Sequence, residues 1–334
     1  MVTQRGKGEG ALFKDGRGLW TARVELPSHD GKRRQKVLRS KNKTVVALKL
    51  AELKMELATR GDIVSSDQTL EAWLRHWLEN IAGKRVTPST FSAHRSAVEQ
   101  QIIPAIGQLK LKQLTPKHVR MLHAAGEERG LSSGTIRRTH QVLSKALSDA
   151  ERDGKVFRNV AKLTDAPRAR HKDLDILDAA AAIRVLEVAA TMPGGARWAV
   201  ALLTGMRQGE ALGLQRERVT DVLDLSWQLQ RVAWQHGCGG ECARTRGTDC
   251  PKRRLDAPAD WEHHNLTGGL FLSRPKSLAG WRQIPLVEPL ATILRRHIDT
   301  TPTGPHDLVF ANGDGSPIDP RRDLKDWHHL LEAA

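Results

Sequence analysis

Two groups of residues in this chain could carry chemistry. The first is Arg207 with Glu210, inside the run Thr204-Gly205-Met206-Arg207-Gln208-Gly209-Glu210-Ala211-Leu212-Gly213-Leu214. A guanidinium is planar, permanently charged and bidentate toward phosphate oxygens. It can stabilise the added charge of a pentavalent phosphate without giving up a proton. On a helix Glu210 lies one turn from Arg207 and can orient it. Gly205 lets the backbone turn tightly just before the arginine. Taken alone, such a pair is also an ordinary surface ion pair. The second group is His236, Cys238, Cys242 and Cys250, which includes every cysteine of the chain. One imidazole and three thiols match a tetrahedral zinc ligand set in type. Their spacing is not that of a standard finger or ribbon, and three reduced thiols in a loop is the plain alternative. Arg244, Arg246, Lys252, Arg253 and Arg254 crowd the same stretch. They would favour thiolates and could touch a polyanion.

The elements that must position these groups fall into three parts. Residues 8–60 read as three strands and a helix. Gly10–Lys14, Leu19–Leu26 and Lys32–Leu38 are the strands, with turn signals at Asp15-Gly16 and Asp30-Gly31. Lys43–Leu57 has helical apolar spacing. After a polar stretch at 61–68, Leu70, Trp73, Leu74, Trp77, Leu78 and Ile81 form an apolar helical stripe. Thr87-Pro88 and Thr115-Pro116 each read as an N-cap followed by proline at the first helical position. Pro104 and Gly107 are expected to break the chain between them. Ser132 and Ser133 open a fourth helix that ends at Asp153-Gly154. Beyond a basic linker at 165–172, Asp178–Thr191 and Gly195–Thr204 read as helices and Val222–Trp234 as strands. Leu270–Ser273 and Trp281–Leu286 read as two strands joined by a short turn, and Val287–His297 as a helix.

Charge supports a polyanionic partner. The net charge is +15, of which residues 1–60 hold +9 and residues 61–167 hold +5. Lys32, Arg33, Arg34, Lys36 and Arg39 crowd the third strand and the residue just after it, and such a sheet can lay its strands in a DNA groove. Arg137 and Arg138 ride on the fourth helix, available for phosphates. No apolar run is long enough for a transmembrane helix. No signal peptide is visible. A soluble cytoplasmic, nucleoid-associated protein is expected.

The eleven residues from Thr204 to Leu214 closely resemble the first box of the tyrosine recombinases, the phage-type integrases. The segment Pro275-Lys276-Ser277-Leu278-Ala279-Gly280-Trp281-Arg282-Gln283-Ile284-Pro285-Leu286 resembles that family's β-hairpin lysine segment. The resemblance implies that Arg207 contacts the scissile phosphate, with Glu210 supporting it. It also implies that Lys276 protonates the leaving 5′-oxygen, a strong base that needs a proton as it departs. It implies an α+β multidomain fold: an arm-type DNA-binding domain at 8–60 (a small three-stranded sheet plus helix), a four-helix core-binding, SAM-like domain at 67–165, and a mainly helical catalytic domain with a β-hairpin at 173–334. The partner would be double-stranded DNA at attachment sites, with a homo-tetramer assembled on it. No cofactor is implied for catalysis.

The resemblance stops before the family's second box, His-x-x-Arg, and its nucleophilic tyrosine. His328-His329-Leu330-Leu331 places leucine where the arginine belongs, and the chain contains no tyrosine. The expectation is an incomplete catalytic domain, cut off early, that binds DNA without cleaving it. The alternative is an integrase-derived DNA-binding regulator that never had catalysis as its role.

Overall fold

The computed structural model describes residues 11–29, 32–60, 68–168, 176–275 and 280–334. The chain packs as two compact units. One comprises Met1–Arg75 with Ala97–Ala169, and the other comprises His76–Ser96 with Arg170–Ala334.

The first unit opens with an antiparallel sheet of β1 (Ala11–Lys14), β2 (Trp20–His29) and β3 (Lys32–Ser40), in that order. Asp15 builds the first turn by accepting the amide N–H groups of Arg17 and Leu19, both at 3.0 Å. Alternation along β2 puts Ala22 and Val24 on one face. There they meet Val46, Leu50 and Leu53 of helix α1 (Lys43–Arg60), spaced at i, i+4 and i+7.

The helical part follows, and its stretch His76–Ser96 belongs to the second unit. α2 (Leu70–Asn80) buries Leu70, Trp73, Leu74 and Trp77, and the Trp73 indole N–H donates to the Ala146 carbonyl at 3.0 Å. α3 (Pro88–Ala97) does not stop near Pro104. It passes through a π-helical turn at Val98–Ile102 into α4 (Ile103–Ile106). The wider turn removes the demand for the hydrogen bond that Pro104 cannot donate. Gly107 ends the run: a Cβ there would sit 2.6 Å from the Ile103 carbonyl oxygen. α5 (Pro116–Glu128) and α6 (Ser133–Arg152) start where their caps predict. Ser132 accepts the Thr135 amide at the α6 N-terminus. His123 and His140 meet between these helices, Nε2 to Nδ1 at 3.1 Å.

The second unit carries α7 (Ala179–Thr191), α8 (Ala196–Thr204) and the short α9 (Gln208–Leu212). Two small antiparallel sheets follow. One pairs β4 (Val222–Asp224) with β8 (Gln283–Pro285). The other is ordered β5 (Gln228–Arg231), β7 (Leu270–Ser273), β6 (His263–Thr267). The strands on either side of Lys276 therefore do not pair with each other, as the sequence had suggested. Every residue of β7 is buried, so it takes the central position, and the hairpin forms instead between β6 and β7 through Gly268-Gly269. α10 (Leu290–Thr300) and α11 (Pro320–Ala333) complete the unit. Leu330 of α11 packs with Val185, Ala189 and Trp198. Among the described residues no helix is long and apolar enough to cross a membrane.

Candidate DNA-phosphate site

Arg207 stands at the N-terminus of α9, held there by the turn before it. Gly205 adopts a left-handed conformation (φ 65°) at the end of α8, where other residues would be strained. Met206 is buried and anchors the turn, and Arg207 takes an extended backbone. Its side chain is 71% exposed. Glu210, one turn on, is 2% exposed. It accepts the Arg207 amide and the Arg207 Nη1 donor, each at 2.8 Å. Arg282, just before β8, closes a two-pronged contact on the same carboxylate at 2.9 and 2.8 Å. Burial raises the pKa of Glu210, but the hydrogen bonds from Arg282 and Arg207 outweigh it, so the carboxyl is held below its usual value. The result is an exposed guanidinium braced by a buried, fully ionised carboxylate. Arg282 was not singled out in the sequence; its only signal is its place six residues after Lys276 in the same segment.

The glycines of the run have a packing role. A Cβ on Gly209 would stand 2.8 Å from the Leu229 carbonyl oxygen, and one on Gly213 would stand 2.5 Å from the Leu229 nitrogen. α9 thus rests with one backbone face directly on β5. Beside it, Gln208 donates to the Asp323 carboxylate at 2.7 Å, and Asp323 pairs with buried Arg197 at 2.6 Å. Burial pulls the Arg197 pKa down to about 10, against the opposing pull of Asp323, whose own pKa burial raises. A groove of about 820 Å³ with mixed polar and apolar walls runs alongside, lined by Thr87, Gln208, Gln228, Leu229, Arg274 and Trp281 among others. Arg274 stacks on both Trp227 and Trp281, 4.3 and 4.7 Å from their ring centres.

The cysteine group is also brought together. One ligand atom from each of His236, Cys238, Cys242 and Cys250 lies within 4.8 Å of every other. Cys238 and Cys250 are buried and Cys242 is half-buried. The Cys238 thiol is pulled down to about 6, chiefly by the backbone N–H of Cys242, with help from the Cys242 thiol and the Gly240 amide.

The chain is similar to known proteins along its length. Residues 69–123 match the family model described as phage integrase, N-terminal SAM-like domain. An integrase of Saccharopolyspora erythraea is 29% identical over 367 aligned residues, covering 99% of this chain and 84% of the relative. An integrase of Streptomyces ambofaciens is 31% identical over 349 residues, covering 100% of this chain and 81% of the relative. The chain belongs to the tyrosine recombinase family of integrases. A solved lambda integrase tetramer bound to a Holliday junction has the same fold, with TM-score 0.56 at 13% identity over 96% of this chain and 83% of that one.

Lys276 lies outside the described residues, as does the turn Asp30-Gly31. Lys32, Arg33 and Arg34 lie on β3. Lys36 pairs across the sheet with Val24, on the helix-facing side, and is half-buried. Arg39 pairs with Thr21 on the opposite face and is exposed, 3.8 Å from Asp15. Strand alternation therefore puts Lys36 and Arg39 on opposite faces. Arg137 and Arg138 are exposed on α6.

Proposed function

We propose that this chain binds duplex DNA at attachment sites, with Arg207 gripping a backbone phosphate. The observation that carries the reading is the Arg207 guanidinium, exposed yet fixed by the Glu210 carboxylate that Arg282 also clamps. The bracing holds the free face of the guanidinium toward solvent before DNA arrives, so little ordering cost remains on binding. Lys276, from the segment before β8, would donate a proton to the leaving 5′-oxygen. Arg39, Arg137 and Arg138 would add phosphate contacts that carry affinity but no sequence information. Double-stranded DNA as a partner accords with the +15 net charge and with the relatives' name, and the tetramer seen for lambda integrase supports a tetramer on DNA for this chain. Binding would take place inside the cell, at the nucleoid.

Cleavage is a separate matter. These 334 residues contain no tyrosine, so no phosphotyrosyl bond can form within this polypeptide. It binds DNA, and strand transfer needs a nucleophile from elsewhere.

Selection of tight binders from a random duplex pool, followed by titration at several salt concentrations, tests the reading. The logarithm of affinity should fall linearly with that of salt, by about 0.9 per phosphate contact. Arg207→Ala should lower the slope by about one contact. A flat salt dependence would overturn the proposal. A suicide duplex substrate should trap no covalent adduct, and an adduct would overturn the second part.

A further inference from the structure

We propose that His236 and the thiolates of Cys238, Cys242 and Cys250 bind one zinc ion, and that this ion closes the loop between β5 and β6. The argument is geometric. Zinc holds sulfur at about 2.3 Å and imidazole nitrogen at about 2.0–2.1 Å, so a regular tetrahedron sets sulfurs about 3.8 Å apart and sulfur and nitrogen about 3.5 Å apart. Here Cys238 Sγ and Cys242 Sγ are 3.3 Å apart, and His236 Nδ1 is 3.3 Å from Cys242 Sγ and 3.9 Å from Cys238 Sγ. Cys250 completes the set within 4.8 Å of the others. Four ligand atoms from a fifteen-residue loop do not converge in this way through apolar packing, since each offers little surface to bury.

The backbone is built for the convergence. Gly237 passes so close to the returning chain that a Cβ would meet the Lys252 carbonyl oxygen at 2.2 Å. Gly239 and Gly240 both adopt left-handed backbone (φ 65° and 94°), which swings Cys242 back toward Cys238. The loop's two ends are pinned by reciprocal backbone hydrogen bonds between Gln235 and Arg254, at 2.8 and 2.9 Å. What the loop lacks is a large apolar core of its own, and a metal cross-link supplies one in its place. The ligand class is a thiophilic divalent cation. Three thiolates and one neutral imidazole select zinc over magnesium or calcium, which take oxygen ligands. On binding, each thiol that was protonated, and the imidazole where it carries a second proton, releases that proton to solvent, and no electron moves.

The site does not depend on the DNA reading: zinc could bind in a chain that binds no DNA. Once closed, the loop would present Arg244, Arg246, Lys252 and Arg253 from a fixed frame, and Arg253 already stacks over Trp234 at 4.6 Å.

The test uses the full chain purified with a thiol reductant and without chelator. Elemental analysis should find about one zinc per chain. Cobalt(II) titrated into metal-stripped protein should give the visible bands of a tetrahedral ion, together with a near-ultraviolet thiolate charge-transfer band. Cys250→Ser and Cys238→Ser should each lose the cobalt spectrum, while His236→Cys should keep it with stronger charge transfer. Trypsin should cut after Arg244, Arg246, Lys252 or Arg253 at least about tenfold faster once a chelator is added. If the serine variants fail to fold, the cobalt titration of the unsubstituted chain decides alone. Stoichiometric zinc with a tetrahedral three-thiolate cobalt spectrum supports the site. Well-folded chain without zinc and without that spectrum overturns it, as does a Cys238–Cys242 disulfide that survives the reductant.

Discussion

Replacing Glu210 by alanine should cost far more stability than replacing the arginine it orients. The carboxylate is 2% exposed and receives four donors: the Arg207 amide, Arg207 Nη1, and both terminal nitrogens of Arg282. A hydrogen bond to a charged group contributes about 1.5–3 kcal/mol, and breaking a buried ion pair costs about 3–5 kcal/mol. Arg282 is 31% exposed and can recover some water, so the full sum does not apply. A loss of about 3 kcal/mol for Glu210→Ala follows, or about 6–12 °C in Tm for a domain of this size. Arg207→Ala removes a side chain that is 71% exposed, and its stability cost should stay below about 1 kcal/mol. Urea unfolding of the three proteins, with DNA affinity measured on each, makes the comparison. Affinity should fall in both variants and stability in one. The sign of the pH dependence follows from the lowered Glu210 pKa. Its stabilisation is complete above the unfolded value of about 4.3 and is lost as pH falls through the lower folded value, so the gap between wild type and Glu210→Ala should close in acid. Equal costs for Arg207→Ala and Glu210→Ala would refute the division of labour, because the exposed guanidinium would then be holding the fold.

Three further outcomes are expected. Asp323→Ala should destabilise by about 3–5 kcal/mol, because Arg197 is 5% exposed and would be left charged and unpaired; the double variant Arg197→Met, Asp323→Leu should recover most of the loss in urea unfolding, and no recovery would count against a buried pair. Gly213→Ala should cost about 1–3 kcal/mol by thermal melt, since its Cβ would sit 2.5 Å from the Leu229 nitrogen, while Gly313→Ala, with open space around it, should be near neutral. His123 and His140 are both held below the usual imidazole value, His123 by burial, and His140 by burial and then the charge of His123. The unfolded chain takes up their protons first, so stability should be flat above pH about 6.5 and fall below it; His140→Gln should flatten that slope, and an unchanged slope would show that other groups carry it.

Much of this protein was legible in one dimension. Helix caps at Thr115-Pro116 and Ser132, the apolar stripe of α2 and the alternation of β2 are local signals, and the elements they predict are present because the governing forces act within a few residues. The run Thr204–Leu214 likewise announced an arginine and its carboxylate, since a glycine turn and an i, i+3 pair are both written locally. Pairing across the chain was not legible. The strands flanking Lys276 looked like partners because they are neighbours in sequence, yet fully buried β7 needs a strand on each edge and finds β5 and β6. Arg282 clamps Glu210 from 72 residues away, and no spacing rule reaches that far. The cysteine group sits between these cases: sequence supplied four candidate ligands of two types in one loop, and the left-handed glycines and the pinned loop ends brought their atoms to within 4.8 Å of one another. Residue type and short-range spacing determined which chemistry was available. Burial and long-range contact, which depend on the whole chain's apolar surface leaving water at once, decided which groups met.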